Sequence, residues 1–240
     1  MTKAFDAHSY LGEDKVYGYS QTPQDLIQKM ERANIEKALV MPFTGPKLDC
    51  LNEYIKKSVG EFPDRLVGFY CVDPSRLDCR KISRAVDNDF RGLYLDVEVY
   101  CPFIGLKSKG VDNMAKIAKE LQLPILIRNY ELSINSINLA EQLHEKAEKF
   151  PDVTFIVGMR IPSIKMVATM HENIVMSTSM NKYYEANDFI PVIGPERIIF
   201  GSNSPIQDPF VMRKTVDLMP ISKHQKRLIL RRNLSRILNI

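Results

Sequence analysis

Short apolar runs alternate with amphipathic segments from one end of the chain to the other. Eight such runs, at 3–8, 37–41, 65–71, 91–97, 124–128, 153–158, 173–178 and 197–201, are rich in Val, Ile, Leu and Phe and nearly unbroken by polar residues. Strands read this way when both faces are buried, because neither face needs polar residues for water. Helical patterns lie between the runs. Thr22 followed by Pro23 is a helix start, an N-cap hydroxyl before a residue with φ already set, and it predicts a helix over 23–30. Leu51, Ile55 and Val59 recur every four residues within 48–59. Segments 111–121 and 134–149 repeat the pattern, 209–219 and a basic stretch at 222–239 close the chain, and the apolar stretch 165–176 reads as helix and strand core.

Eight strands alternating with about eight helices predict a parallel sheet with helical crossovers. Eight units in 240 residues match a closed (β/α)8 TIM barrel, a single domain over 1–240. An open doubly wound sheet is the rival, but no Gly-rich turn follows the first strand, which argues against a dinucleotide-binding version. In a barrel the working residues stand at the C-terminal ends of the strands. The windows to search are therefore 6–10, 41–44, 70–73, 96–100, 128–130, 159–160, 177–179 and 202–204.

Composition narrows the partners. The net charge of +4, from 33 basic and 29 acidic residues, is too weak to demand a nucleic acid or a membrane, and fits a small anionic ligand. Cys50, Cys71, Cys79 and Cys101 form no CxxC pair and have no His at zinc-like spacing, so they read as reduced thiols. The first residues lack the apolar run of a signal peptide, and no segment approaches the roughly 18 apolar residues of a membrane span. The expectation is a cytoplasmic protein with no membrane and no nucleic-acid partner.

At the strand ends a resemblance emerges. Phe5-Asp6-Ala7-His8-Ser9-Tyr10-Leu11-Gly12 resembles the Asp-x-His-x-His-x-Gly opening of amidohydrolase-related barrels. Segments 33–40, 62–69 and 90–96 are similar to the next three strand entries, 123–128 to a Leu-Pro-Val-Leu-Ile-His strand, and 150–159 to the sixth strand. Gly194 to Pro205 resembles Arg-Ile-Leu-Phe-Gly-Ser-Asp-x-Pro, and 232–238 the terminal Asn-containing helix. These pieces fall in the right order across nearly the whole chain.

The family holds zinc or another divalent metal with four His and an Asp. At the matching positions this chain has His8, Tyr10, Arg128, Met159 and Asn203, so only His8 is kept. Tyr and Met are poor replacements, and Asn203 keeps an oxygen but cannot act as a base. Arg128 is the strongest departure, because a guanidinium stays protonated. At 4 Å it would repel a unit positive charge by about 4 kcal/mol at an effective dielectric near 20, and a divalent ion by about twice that. The resemblance therefore implies a hydrolase-type barrel with a degenerate metal site and no metal cofactor, in which Arg128 replaces the metal's charge with Asp6 or Asp96 as partner.

The candidate catalytic residues are His8, Asp6 and Asn203; the candidate substrate-binding residues are Arg128, Tyr10, Asp96 and Arg160. Each has a structural alternative. His8 is either an acid–base group or a hydrogen-bonded core histidine. Arg128 is either a carboxylate or phosphate anchor or half of a buried ion pair. Arg160 faces the mouth or points outward, and Tyr10 and Asn203 either bind a ligand or only pack. His144, His171 and His224 lie in polar helical contexts, where solvated histidine is the default. Three functions stay open: a metal-independent hydrolase or lactonase-like enzyme on a small carboxylate-bearing substrate, a non-catalytic binding or regulatory protein on the same barrel, and a metal-dependent hydrolase with relocated ligands. A homodimer is a further implication of the resemblance.

Overall fold

In the computed structural model every apolar run is a strand, and barrel curvature explains why both strand faces are apolar. The structure describes residues 2–88, 90–128, 136–158, 162–179 and 183–240, the side chains of 87–88, 136–138, 162 and 183–187 excepted. The strands are β1 (Ala4–Glu13), β2 (Ser20–Gln21), β3 (Ile35–Pro42), β4 (Leu66–Cys71), β5 (Phe90–Asp96), β6 (Ile125–Arg128), β7 (Phe155–Gly158), β8 (Ile174–Ser177) and β9 (Ile198–Ile199). They lie in the order β2-β1-β3-β4-β5-β6-β7-β8-β9, and every pairing is parallel except β1 with β2. The chain beyond β9 then returns to β1. Ala7 N donates to Phe200 O at 2.8 Å, Asn203 N to His8 O at 2.8 Å and Tyr10 N to Ser204 O at 2.7 Å, which closes a (β/α)8 TIM barrel.

One set of alternate residues fills the barrel interior: Phe5 and Ala7, Leu39 and Met41, Val67 and Phe69, with Leu126, Ile156, Val175 and Ile199. The other set, including Val40, Leu95, Ile127, Val157 and Met176, packs outward against the helices. Gly92 is needed where it stands, because a Cβ there would come within 2.3 Å of the Phe69 ring.

The helices are α1 (Pro23–Arg32), α2 (Leu48–Glu61), α3 (Cys79–Asn88), α4 (Val97–Tyr100), α5 (Lys109–Glu120), α6 (Ser136–Lys149), α7 (Pro162–Met170), α8 (Tyr183–Ile193), α9 (Pro209–Leu218), α10 (Lys223–Arg227) and α11 (Asn233–Leu238). Thr22 caps α1 in a reciprocal box with Asp25. Two details depart from the sequence pattern. β1 runs five residues beyond its expected end, because its C-terminal half finds partners in β3, β2 and Ser204. The closing helix is interrupted by a π turn at Leu228–Arg232, where Ile229 O accepts from Phe200 N at 2.8 Å. The wide turn ties the last helices to the closing strand.

The seam is also held by one side chain. Asp6 Oδ1 accepts from His8 N at 3.0 Å and Ser202 N at 2.8 Å, and Oδ2 accepts from Ser9 Oγ at 2.8 Å and from Ser202 Oγ. Removing that carboxylate leaves His8 N, Ser202 N and Ser9 Oγ, all buried, without that acceptor, and leaves Ser202 Oγ only His8 O at 3.5 Å. Asp6→Ala should therefore lower unfolding stability by about 3–5 kcal/mol in urea titration, a loss of the size seen when buried networks are broken. A cost within 1 kcal/mol would show that the seam does not depend on Asp6.

Candidate active site at the barrel mouth

Strand register builds the site. Asp96 ends β5, Arg128 ends β6, and the two are register partners on neighbouring parallel strands. Neighbouring strands lie about 4.8 Å apart, so in-register side chains on one face meet. Arg128 Nη1 donates to Asp96 Oδ2 at 2.8 Å, with the two side chains 7% and 1% exposed. Thr44 Oγ1, just past β3, donates to the same oxygen at 2.9 Å. Asp96 Oδ1 accepts from the backbone N–H groups of Glu98 and Val99 at 3.1 and 3.2 Å and so caps α4. The Asp96 carboxylate thus serves a guanidinium, a hydroxyl and a helix start together.

Aromatic rings complete the setting. The Arg128 guanidinium carbon lies 5.0 Å from the Tyr10 ring centroid, a cation–π arrangement. Tyr10 stacks on Phe43 at 4.9 Å and meets the edge of Tyr94 at 6.3 Å. The Tyr10 hydroxyl is bonded to His8 Nε2 at 2.6 Å. Asn203 adopts a left-handed backbone with φ 60°, donates its N–H to His8 O and accepts from Gln207 N at 3.2 Å. The left-handed turn lets the chain leave β9 and cross back along β1, a conformation Asn tolerates better than most residues.

The structure therefore gathers His8, Tyr10, Arg128, Asp96 and Asn203 at one end of the barrel. Asp6 is a correction. It belongs to the seam and does not pair with Arg128. Its neighbours Phe5 and Ala7 point into the barrel, so Asp6 sits on the opposite face of β1. A register shift between Asp6 and Ser9 then resets the alternation and turns Tyr10 inward. Arg160 and Met159 lie outside the described residues.

Burial governs the protonation states. It pushes His8 down to about 3, with the Arg128 charge adding to the effect, so His8 is neutral. It pushes Tyr10 up to about 12, reinforced by Asp96 and opposed by Arg128. Asp6 is also raised by burial, against the pull of its hydrogen bonds. For Arg128 burial works against the charge, yet Tyr10, Tyr94 and Asp96 hold its pKa above the ordinary value. Glu98 behaves differently. Half-buried on α4, it is raised to about 7 by burial and by the Asp96 charge, against the opposing pull of Arg128. The sequence reading did not single out Glu98, although it falls in the window after β5. Nothing in its spacing distinguishes it from an exposed helix-start carboxylate.

Among the described residues, the side chains at the positions that the resemblance marks as ligands are poorly suited to a divalent metal. His8 Nε2 is engaged by Tyr10, and a paired guanidinium stands among the positions that the resemblance marks as ligands. Among the described residues no three His, Cys, Asp or Glu side chains converge to hold an ion.

Two outcomes test this geometry. Arg128→Met leaves Asp96 buried without its cation and should cost about 3–5 kcal/mol of stability in urea titration; no loss would mean that the pair is not formed. The folded protein binds the Glu98 proton more tightly than the unfolded chain does. Glu98 thus stabilises the fold below the ordinary carboxylate range, and that contribution fades as pH rises through about 7. Carboxyl NMR should follow Glu98 titrating near 7, and Glu98→Gln should flatten this part of the stability–pH curve.

No family model and no curated protein matches the sequence. Solved structures do match in fold. A 2,6-dihydroxybenzoate decarboxylase complexed with 2,6-dihydroxybenzoate superposes with a TM-score of 0.84 at 13% identity, over 100% of both chains. A Staphylococcus aureus protein described as an amidohydrolase superposes with 0.83 at 14% identity, again over 100% of both chains. A dihydroxybenzoic acid decarboxylase from Polaromonas sp. JS666, crystallised with manganese and 2-nitroresorcinol, superposes with 0.81 at 14% identity, over 100% of this chain and 97% of its own. The chain has the TIM-barrel fold of these decarboxylases and amidohydrolases along its whole length.

Proposed function

We propose that the barrel mouth binds a small carboxylate-bearing molecule and acts on it by acid–base chemistry without a divalent metal, the reaction being hydrolysis or lactone opening. One observation carries the reading: a buried Arg128–Asp96 pair stands at the strand ends, where enzymes of this fold do their chemistry. Arg128 anchors the substrate carboxylate, and Tyr10 supports the guanidinium from below. Glu98 carries the proton, because its carboxyl changes charge near neutrality while His8 stays neutral. His8 and Tyr10 act as a neutral hydrogen-bonded pair that orients the ring under Arg128. Asp6 is reassigned from proton carrier to seam, and Asn203 from a hydrogen-bonding group for the ligand to a backbone turn. The dihydroxybenzoate bound by one structural neighbour supports a carboxylate-bearing aromatic as the substrate class.

A second reading is a binding protein without turnover. It is favoured by the engagement of His8, Tyr10 and Asp96 in internal bonds.

Tag-free protein, treated with chelator and freed of it, should be offered aromatic lactones, esters and hydroxybenzoates with chromatographic detection of products. The proposal expects turnover that survives chelation, falls at least a hundredfold in Glu98→Gln and loses substrate affinity in Arg128→Lys. Saturable binding with no product identifies the binding protein. Activity restored only by added manganese or zinc overturns the metal-free reading, and release of carbon dioxide replaces hydrolysis by decarboxylation.

A further inference from the structure

Away from the mouth, two imidazoles face each other across the helical shell. His144 is on α6, and His171 follows α7 in the turn that enters β8. His171 therefore lies at the N-terminal end of its strand, on the barrel face opposite the mouth. His171 Nε2 and His144 Nδ1 are 2.7 Å apart, with ring centroids at 4.8 Å and planes tilted by 53°. Both rings are half-buried. We propose that His144 and His171 form a site for a late first-row divalent cation, Cu2+ or Zn2+, that staples α6 to the α7–β8 turn.

The geometry is close to what an ion needs. Metal–imidazole bonds of about 2.0–2.1 Å at angles near 90–110° place two nitrogens roughly 2.9–3.4 Å apart. The rings need to part by a few tenths of an ångström and to turn toward the ion, and half-buried side chains have room to do so. Hydrogen-bonded at 2.7 Å, the two nitrogens aim at each other, and an ion that takes the place of the shared proton sits beside the line between them. In the neutral pair one of the nitrogens carries that proton. When the ion enters, that ring changes tautomer and its proton moves through water to its other nitrogen, so above the imidazole pKa no net proton is released. Imidazole pairs favour Cu2+ and Zn2+ over Mg2+, which prefers oxygen.

The backbone around the pair is tied down. Asn173 Nδ2 donates to Ala147 O, Phe150 O and Val153 O at 3.0–3.1 Å, joining the entry to β8 to the end of α6. Arg197 Nη1 donates to Ala168 O and His171 O at 2.7 and 2.8 Å. Glu148, one turn beyond His144, adds a negative charge that acts on His171, while burial and His144 keep His171 in the neutral, ligating form. Two protein ligands leave the remaining positions to water, so the affinity is moderate and the role is stabilisation by binding the folded state.

Tag-free protein titrated with CuCl2, ZnCl2 and MgCl2 is the test, read by calorimetry and thermal unfolding. One equivalent of Cu2+ or Zn2+ should bind and raise the Tm, and Mg2+ should not. His144→Ala and His171→Gln should each weaken binding at least tenfold, and His224→Ala should leave it unchanged. Cu2+ line broadening in the unmodified protein should centre on residues near 144 and 171, a readout independent of variant folding. No binding at 100 equivalents, broadening centred elsewhere, or equal loss in His224→Ala overturns the site. None of these readouts depends on catalysis at the mouth.

Discussion

A guanidinium can be closed into the end of a barrel only if a carboxylate meets it, because an unpaired buried charge costs more than a small domain can spare. Arg128 and Asp96 meet this condition through strand register, which sets them side by side at the ends of β5 and β6. The rest of the mouth follows. Asp96 draws Thr44 and the first turn of α4 toward itself, and α4 brings Glu98 beside the pair. Tyr10 turns its face to the cation and its hydroxyl to His8. One ion pair thus orders the end of β3, the start of α4 and the inward half of β1.

The mouth and the seam beside it differ in chemistry. On the β5–β6 side charges are paired and one carboxyl titrates near neutrality. On the β1–β9 side hydroxyls and backbone amides converge on the buried Asp6, which joins the first strand to the last. A carboxylate surrounded by four donors on the outer face of its strand has the surroundings of a structural group. Its raised pKa reflects burial and does not make it a proton carrier. Perturbed titration points to function only when the group also stands near the site: Glu98 lies in the field of Asp96 and Arg128, whereas the shift of Asp6 comes from burial and its seam partners.

Most of the architecture was legible in the order of residues. Apolar runs of strand length, Thr22-Pro23 and the fourfold spacing of Leu51, Ile55 and Val59 each predict an element, and each element forms at the expected place within a few residues. Such signals are local: they depend on residues a turn or a strand apart. Strand β2 and the π turn at Leu228–Arg232 were not legible. Each exists because of a distant partner, β1 for the one and Phe200 for the other.

The candidate site shows the same division. The sequence by itself determined which residue types stand at the strand ends, and so that a permanent cation, Arg128, is at the end of the fifth apolar run, where the resemblance would place a neutral imidazole. Tertiary structure alone decided which carboxylate meets that cation. Asp6 and Asp96 have the same side chain and similar strand-end positions. Strand alternation and the slip after Asp6 send one to the seam, while register brings the other to within hydrogen-bonding distance of Arg128. Long-range pairing sets these relations, and no local pattern of residues encodes them.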